Sequence, residues 1–134
     1  MLNGLFNSTK KPDETRSVMV VGDDSEALRF LSETLQNEGY AVFAAQNVET
    51  AVALLNGMDM PKLFMGDFRN PEIDGAEFIR RLRVRYGKTT LSPIVFLLDS
   101  SEDEIVARKM EIHDVLAKPL TTDAILRCLE SIML

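Results

Sequence analysis

The chain is predicted to be an α/β protein with a doubly wound, five-stranded parallel sheet flanked by five helices, and three observations carry that expectation. Five short apolar runs, "SVMVVGDD", "YAVFAAQ", "KLFMGD", "SPIVFLLD" and "DVLAKP", alternate with five stretches of helical periodicity. The runs are near-continuous in apolar residues, as strands buried on both faces require. Asp23, Asp67, Asp99 and Lys118 stand at or near the ends of four of these runs. Right-handed crossovers join such strands into a doubly wound sheet. Ligands of these sheets bind beyond the carboxyl ends of the strands, where the strand order reverses. Polar groups at four strand ends therefore read as a site.

Each element has its own local reason. Residues 1–16 are polar and aperiodic and are expected to form a tail, with the folded domain spanning 17–134. The first strand is the β-branched run before Asp23. In "SEALRFLSETLQNEG" Leu28, Leu31 and Leu35 recur at helical spacing, Ser25 or Asp24 can cap the start, and Gly39 ends it. "YAVFAAQ" is the second strand and "NVETAVALLNGM", capped by Asn47, the second helix. "KLFMGD" precedes a third helix, "GAEFIRRLRVRYG", closed by Gly87. "SPIVFLLD" precedes "SEDEIVARKM", whose leading acids suit the positive end of a helix dipole. "DVLAKP" is the last strand and "TTDAILRCLESIML" the closing helix.

Composition excludes several classes. At 134 residues the chain is one domain, and its 46% hydrophobic and 27% charged residues are those of a soluble globular protein. No apolar run approaches the ~20 residues of a membrane span. The lysines of "MLNGLFNSTKK" follow rather than precede a broken apolar stretch, the wrong order for a secretory signal, so the expected location is cytoplasmic. Cys128 is the single cysteine, which rules out an intramolecular disulfide and a thiolate metal site. A net charge of −6 argues against nucleic-acid binding, which needs a basic face. The one basic cluster, "RRLRVR" (80–85), reads as the solvated face of a helix.

The stretch "LFMGDFRNPEIDG" sets Asp67 directly after an apolar run. Here the residues resemble a known family, the receiver domains of two-component response regulators. The resemblance spans residues 17–134 and rests on "VMVVGDD", "LFMGDFRNPEIDG", "PIVFLL" and "DVLAKP", in the family's order. Its most specific piece is Asp-x-x-x-Pro-x-x-Asp-Gly at Asp67, Pro71, Asp74 and Gly75, with Lys118-Pro119 downstream. The resemblance implies the flavodoxin-like receiver fold and a signalling module rather than an enzyme. It makes Asp67 the phosphoacceptor, attacking a phosphoryl group carried on a partner's histidine. It makes Lys118 the cation that pairs with the phosphate, and Mg²⁺ the cofactor, held by Asp23, Asp67 and the backbone carbonyl of Arg69, with Asp24 as a further acid. Asp74-Gly75 reads as a turn and helix start, and Pro119 follows a peptide that the family holds in a fixed bend.

Several positions depart from the family pattern. Gly22 replaces the first of two acids that close the first strand, leaving Asp23 as the second. Leu98 stands where the family has a Thr or Ser that bonds the phosphoryl oxygen, and Val115 where an aromatic swings inward on activation. Asn70 replaces an apolar residue. A hydrogen bond to a charged group contributes about 1.5–3 kcal/mol, so Leu98 weakens the phosphorylated state unless Ser100 or Ser101 supplies the hydroxyl. Two functions follow. One is a stand-alone receiver, phosphorylated on Asp67 by a histidine kinase or histidine phosphotransfer protein and signalling to an output protein by contact. The other is a degenerate receiver, an interaction module independent of phosphate. An aspartyl phosphatase is disfavoured, because such enzymes place a second acid where this chain has Arg69, and no glycine-rich phosphate loop follows the first strand.

Overall fold

The computed structural model describes residues 13–23, 25–70, 73–87 and 91–132. The expected cap and metal ligand Asp24, the motif's Pro71 and most of the expected tail lie outside the described residues. Five strands form one parallel sheet: β1 (Asp13–Val21), β2 (Tyr40–Ala45), β3 (Leu63–Asp67), β4 (Ile94–Leu98) and β5 (Asp114–Ala117). Their order is β2-β1-β3-β4-β5. The helices are α1 (Ser25–Asn37), α2 (Val48–Asn56), α3 (Gly75–Tyr86), α4 (Glu104–Arg108) and α5 (Thr122–Ile132). The order reverses between β1 and β3, so those two strand ends open onto the crevice where such sheets bind ligands.

Both faces of the sheet are covered, as its unbroken apolar strands demand. Met19, Val21, Phe64, Phe96 and Leu98 point to one face, where they pack with Ala51 and Leu55 of α2, Phe78, Ile79 and Leu82 of α3 and Ala107 of α4. Val18, Val20, Leu63, Met65, Val95 and Leu97 point to the other, against Leu31 and Leu35 of α1 and Ile125, Cys128 and Leu129 of α5. The alternation along each strand is the period-two geometry of the pleat. Val18, Met19, Val20 and Met65 have no exposed surface.

Local chemistry matches most elements. The Asn47 side chain caps α2 by accepting from the Thr50 N–H, and Asp74 caps α3 by accepting from the Glu77 N–H. Gly75 has to be glycine for space, because a Cβ there would lie 2.7 Å from the Phe68 carbonyl and from the Phe96 ring. Three expectations need correction. First, β1 begins at Asp13 rather than at Ser17, where the run "SVMVVGDD" starts, because Asp13 pairs with Tyr40 across a register irregularity and Arg16 lies 4.2 Å over the Tyr40 ring. Second, the fourth helix is shorter than "SEDEIVARKM": residues 101–103 form a 3₁₀ turn and the α-helix stops at Arg108. Third, Arg83 is not part of a solvated face. Its guanidinium donates to the Met110 carbonyl at 2.7 Å, tying α3 to the approach of β5.

Candidate functional site

Asp67 is the last residue of β3, and the sheet fixes its backbone. It is in register with Leu97 of β4, and the next N–H, of Phe68, donates to the Leu97 carbonyl at 3.0 Å. The two strands of β3's neighbours bring the other polar ends alongside. β1 ends at Val21, opposite Gly66, and leads to Gly22 and Asp23. β4 ends at Leu98 and leads to Asp99. β5 pairs Ala117 with Leu98, and the Lys118 N–H donates to the Leu98 carbonyl at 2.9 Å. The following Lys118–Pro119 peptide is cis.

Three side chains converge from these ends. The Lys118 ammonium lies 2.8 Å from Asp67 Oδ1 and 3.2 Å from Asp99 Oδ1. The Asp67 side chain has no exposed surface, Lys118 is 10% exposed and Asp99 52%. Burial raises the Asp67 pKa; Lys118 opposes that rise by hydrogen bonding and charge, and the Asp99 and Asp23 charges add to it. For Lys118, burial pulls the ammonium down, but the Asp67 and Asp99 carboxylates outweigh it and hold it above its ordinary value. The pair is an enclosed carboxylate held by a largely buried ammonium.

Gly22 has a role in this arrangement. A Cβ at position 22 would sit 2.5 Å from Asp67 Oδ2 and 3.1 Å from Asp67 Cγ. The carboxylate therefore occupies the volume that a side chain at position 22 would need. Asp23 is exposed, and its charge is among those felt by Asp67. Among the described residues, no three His, Cys, Asp or Glu side chains gather as a metal cage.

The remaining expected positions sort clearly. Leu98 is 3% exposed and packs with Phe96 on the α3 side of the sheet, and Val115 packs against that same core. Ser100 turns its hydroxyl to the chain, accepting from the Glu102 N–H at 3.2 Å, and Ser101 is exposed in the same turn. The Arg69 side chain is 59% exposed, and its guanidinium pairs with Asp103 at 3.2 Å and lies 5.3 Å from the Phe68 ring centre. The sequence counts Asp99 among the four strand-end polar groups of the site but assigns it no individual role; its pairing with Lys118 depends on the β4–β5 register. A cleft of about 540 Å³ opens beside this group, lined by Glu26, Ala27, Phe30, Asp99, Lys118 and Pro119 among others.

With this geometry in place, comparison with known proteins is decisive. Residues 18–130 match the family model described as the response regulator receiver domain. The chain belongs to the response-regulator receiver family. A receiver is a module of two-component signalling, and this one is 32% identical over 114 residues to an uncharacterised 14.6 kDa protein from the region 3′ of sodA1 in Leptolyngbya boryana, covering 84% of this chain and 86% of that one. It is 33% identical over 105 residues to the KDP operon transcriptional regulatory protein KdpE of Escherichia coli strain K12, covering 77% of this chain. The match spans only 44% of KdpE, less than half of that relative's length. Among solved structures, the chemotaxis response regulator CheY4 of Vibrio cholerae superposes with a TM-score of 0.75 at 24% identity, over 87% of this chain and 97% of that one. That likeness shows the five-stranded parallel fold. Among the described residues, no helix is long and apolar enough to cross a membrane.

Proposed function

We propose that this receiver accepts a phosphoryl group on Asp67 from a phosphohistidine of a histidine kinase or histidine phosphotransfer protein and signals through protein–protein contact. The observation that carries the reading is the buried Asp67–Lys118 pair at 2.8 Å, at the carboxyl end of β3 and beside an open cleft. An Asp67 carboxylate oxygen attacks phosphorus while the P–N bond to the donor imidazole breaks. The electron pair of that bond returns to the ring nitrogen, which takes a proton from water, and an acyl phosphate remains on Asp67. Lys118 stays within reach of the new phosphoryl oxygens and offsets their charge.

The residues fit a weakly held, well-hydrated Mg²⁺. Asp23 and Asp67 supply hard oxygen donors, the backbone carbonyl of Arg69 is a third, and water completes such a shell. Burial raises the pKa of Asp67 most, and the Asp99 and Asp23 charges add to it, a repulsion that a cation relieves. When bound, the ion would neutralise charge on the transferring phosphoryl group. Gly22 removes one acid and leaves a smaller ligand set.

The buried Leu98 and the partly buried Val115, both aliphatic, support a second reading, a degenerate receiver whose contacts do not depend on phosphate. Intact-mass measurement after incubation with acetyl phosphate and Mg²⁺ separates the two. The expected result is a gain of one phosphoryl group by the natural chain and none by Asp67→Ala. A natural chain that gains no mass would leave the second reading alone.

A further inference from the structure

Lys118 divides its ammonium between two carboxylates of different standing. Asp67 is fully enclosed, while Asp99 is half exposed on the segment that leaves β4. The far end of that segment is tied down as well, since Asp103 pairs with Arg69, two residues after the acceptor, at 3.2 Å. Between the two ties, the Glu102 N–H donates to Ser100 Oγ at 3.2 Å and the Asp103 N–H to the Ser100 carbonyl at 3.1 Å. We propose that Asp99 is a positioning residue for the acceptor chemistry: it holds Lys118 until a phosphoryl group on Asp67 takes that cation, and its release loosens the Ser100–Asp103 turn.

The inference rests on the reading of Asp67 as phosphoacceptor, and its physical basis is competition for one ammonium. A phosphoryl group carries about −1.5 to −2 charges and three strong acceptor oxygens, whereas Asp99 offers one charge already shared with solvent. Anchored on buried Asp67, the phosphoryl group wins Lys118. It also leaves Asp99 next to a like charge with water on its open side, so Asp99 swings outward. The Arg69–Asp103 pair is unaffected and confines the change to the turn. Leu98 and Val115 lack the hydroxyl and the ring that link phosphate to shape elsewhere in the family, and the Asp99 tie supplies a different link. Its negative charge has a second effect, opposing an incoming phosphodonor and slowing the transfer.

The test uses the full chain and variants of one acid at a time. With acetyl phosphate and Mg²⁺, the Asp67 oxygen attacks phosphorus, the P–O bond to acetate breaks, and acetate leaves. Asp99→Asn is expected to gain its phosphoryl group about fivefold faster than the natural chain, the scale of one partly exposed ion pair. Asp99→Glu is expected to keep the natural rate. Glu130→Gln, which removes the same charge from an exposed position of α5, is also expected to keep it. With beryllofluoride and Mg²⁺ as phosphate mimic, amide exchange at Glu102 and Asp103 is expected to quicken in the natural chain. In Asp99→Asn it should be fast beforehand and unchanged by the mimic. Equal phosphorylation rates for the natural chain and Asp99→Asn, or unchanged exchange in a natural chain that does gain mass, would overturn the inference and leave the acceptor reading standing. No mass gain by either protein would overturn both.

Discussion

Burying an ionised carboxylate is costly, and Asp67 has no exposed side-chain surface to relieve it. Lys118 offsets part of that cost, yet the Asp67 pKa still lies above the ordinary value, so desolvation outweighs the pair. The sign for stability follows. A carboxyl group whose folded pKa is raised stabilises the fold fully below its unfolded value, and that contribution is lost as pH rises through the folded value. At neutral pH the charged Asp67 is thus a burden on the fold. Asp67→Asn keeps the shape and removes the charge, while Lys118 retains Asp99 as partner. It is expected to stabilise the protein by about 1 kcal/mol, or roughly 4 °C in melting temperature; a lower melting temperature would show that the pair outweighs desolvation. In the proposed acceptor role the protonation state of Asp67 also matters for chemistry, because only an ionised carboxylate oxygen would attack phosphorus. At a fixed Mg²⁺ concentration, the rate of mass gain with acetyl phosphate should fall on acidification. Gly22 presents the opposite problem. Gly22→Ala pushes a methyl group onto the Asp67 carboxylate, and is expected to cost about 1–3 kcal/mol in chemical unfolding. An unchanged unfolding midpoint would mean that the carboxylate moves aside freely.

The elements around β4 and β5 decide how the site communicates. Leu98 fills the end of β4 within the core packed under α3 and α4, and Val115, the second residue of β5, packs partly buried against that core. Leu98→Thr exchanges buried aliphatic surface for a hydroxyl and is expected to cost about 1–3 kcal/mol of stability. In return it offers a donor toward phosphoryl oxygen, so the acyl phosphate should last longer than in the natural chain, measured by decay of the added mass. An equal lifetime would show that residue 98 does not reach the phosphoryl group. Since nothing at Val115 gains from phosphate, amide shifts of Val115 and of Thr122–Ile132 should change little with beryllofluoride, in contrast to the Ser100–Asp103 turn. The strands, caps and order of elements were legible in the chain because each depends on neighbours in sequence: Asn47 and Asp74 cap as their spacing predicts, and apolar runs became the sheet. Arg69, Arg83 and Asp99 were not, for a common physical reason. Their partners Asp103, the Met110 carbonyl and Lys118 lie far along the chain and meet them only through strand register and helix placement. The shortened α4 was likewise hidden, because the leading acids suit a 3₁₀ turn as well as a helix.

For the whole molecule, the charge of −6 and the Asp99 and Asp23 charges that act on Asp67 make cation binding and stability one question. An ion that binds the folded chain alone stabilises it by RT ln(1 + [L]/Kd), which at tenfold Kd is about 1.4 kcal/mol. With the ligand set reduced by Gly22, the Kd for Mg²⁺ should be about millimolar, so roughly 10 mM Mg²⁺ should raise the melting temperature by about 4 °C. Diffuse screening of a negative protein gives a similar trend, so the comparison must be made at constant ionic strength with a monovalent salt. The specific contribution is the part that Asp23→Asn abolishes. Asp23 is exposed, so its substitution is expected to leave the fold intact, which keeps the comparison fair. A rise that survives in Asp23→Asn would place the ion elsewhere on the acidic surface. No rise in the natural chain would mean that the Lys118 ammonium already supplies the positive charge this site needs, and the Mg²⁺ assignment would fall while the Asp67–Lys118 pair remained.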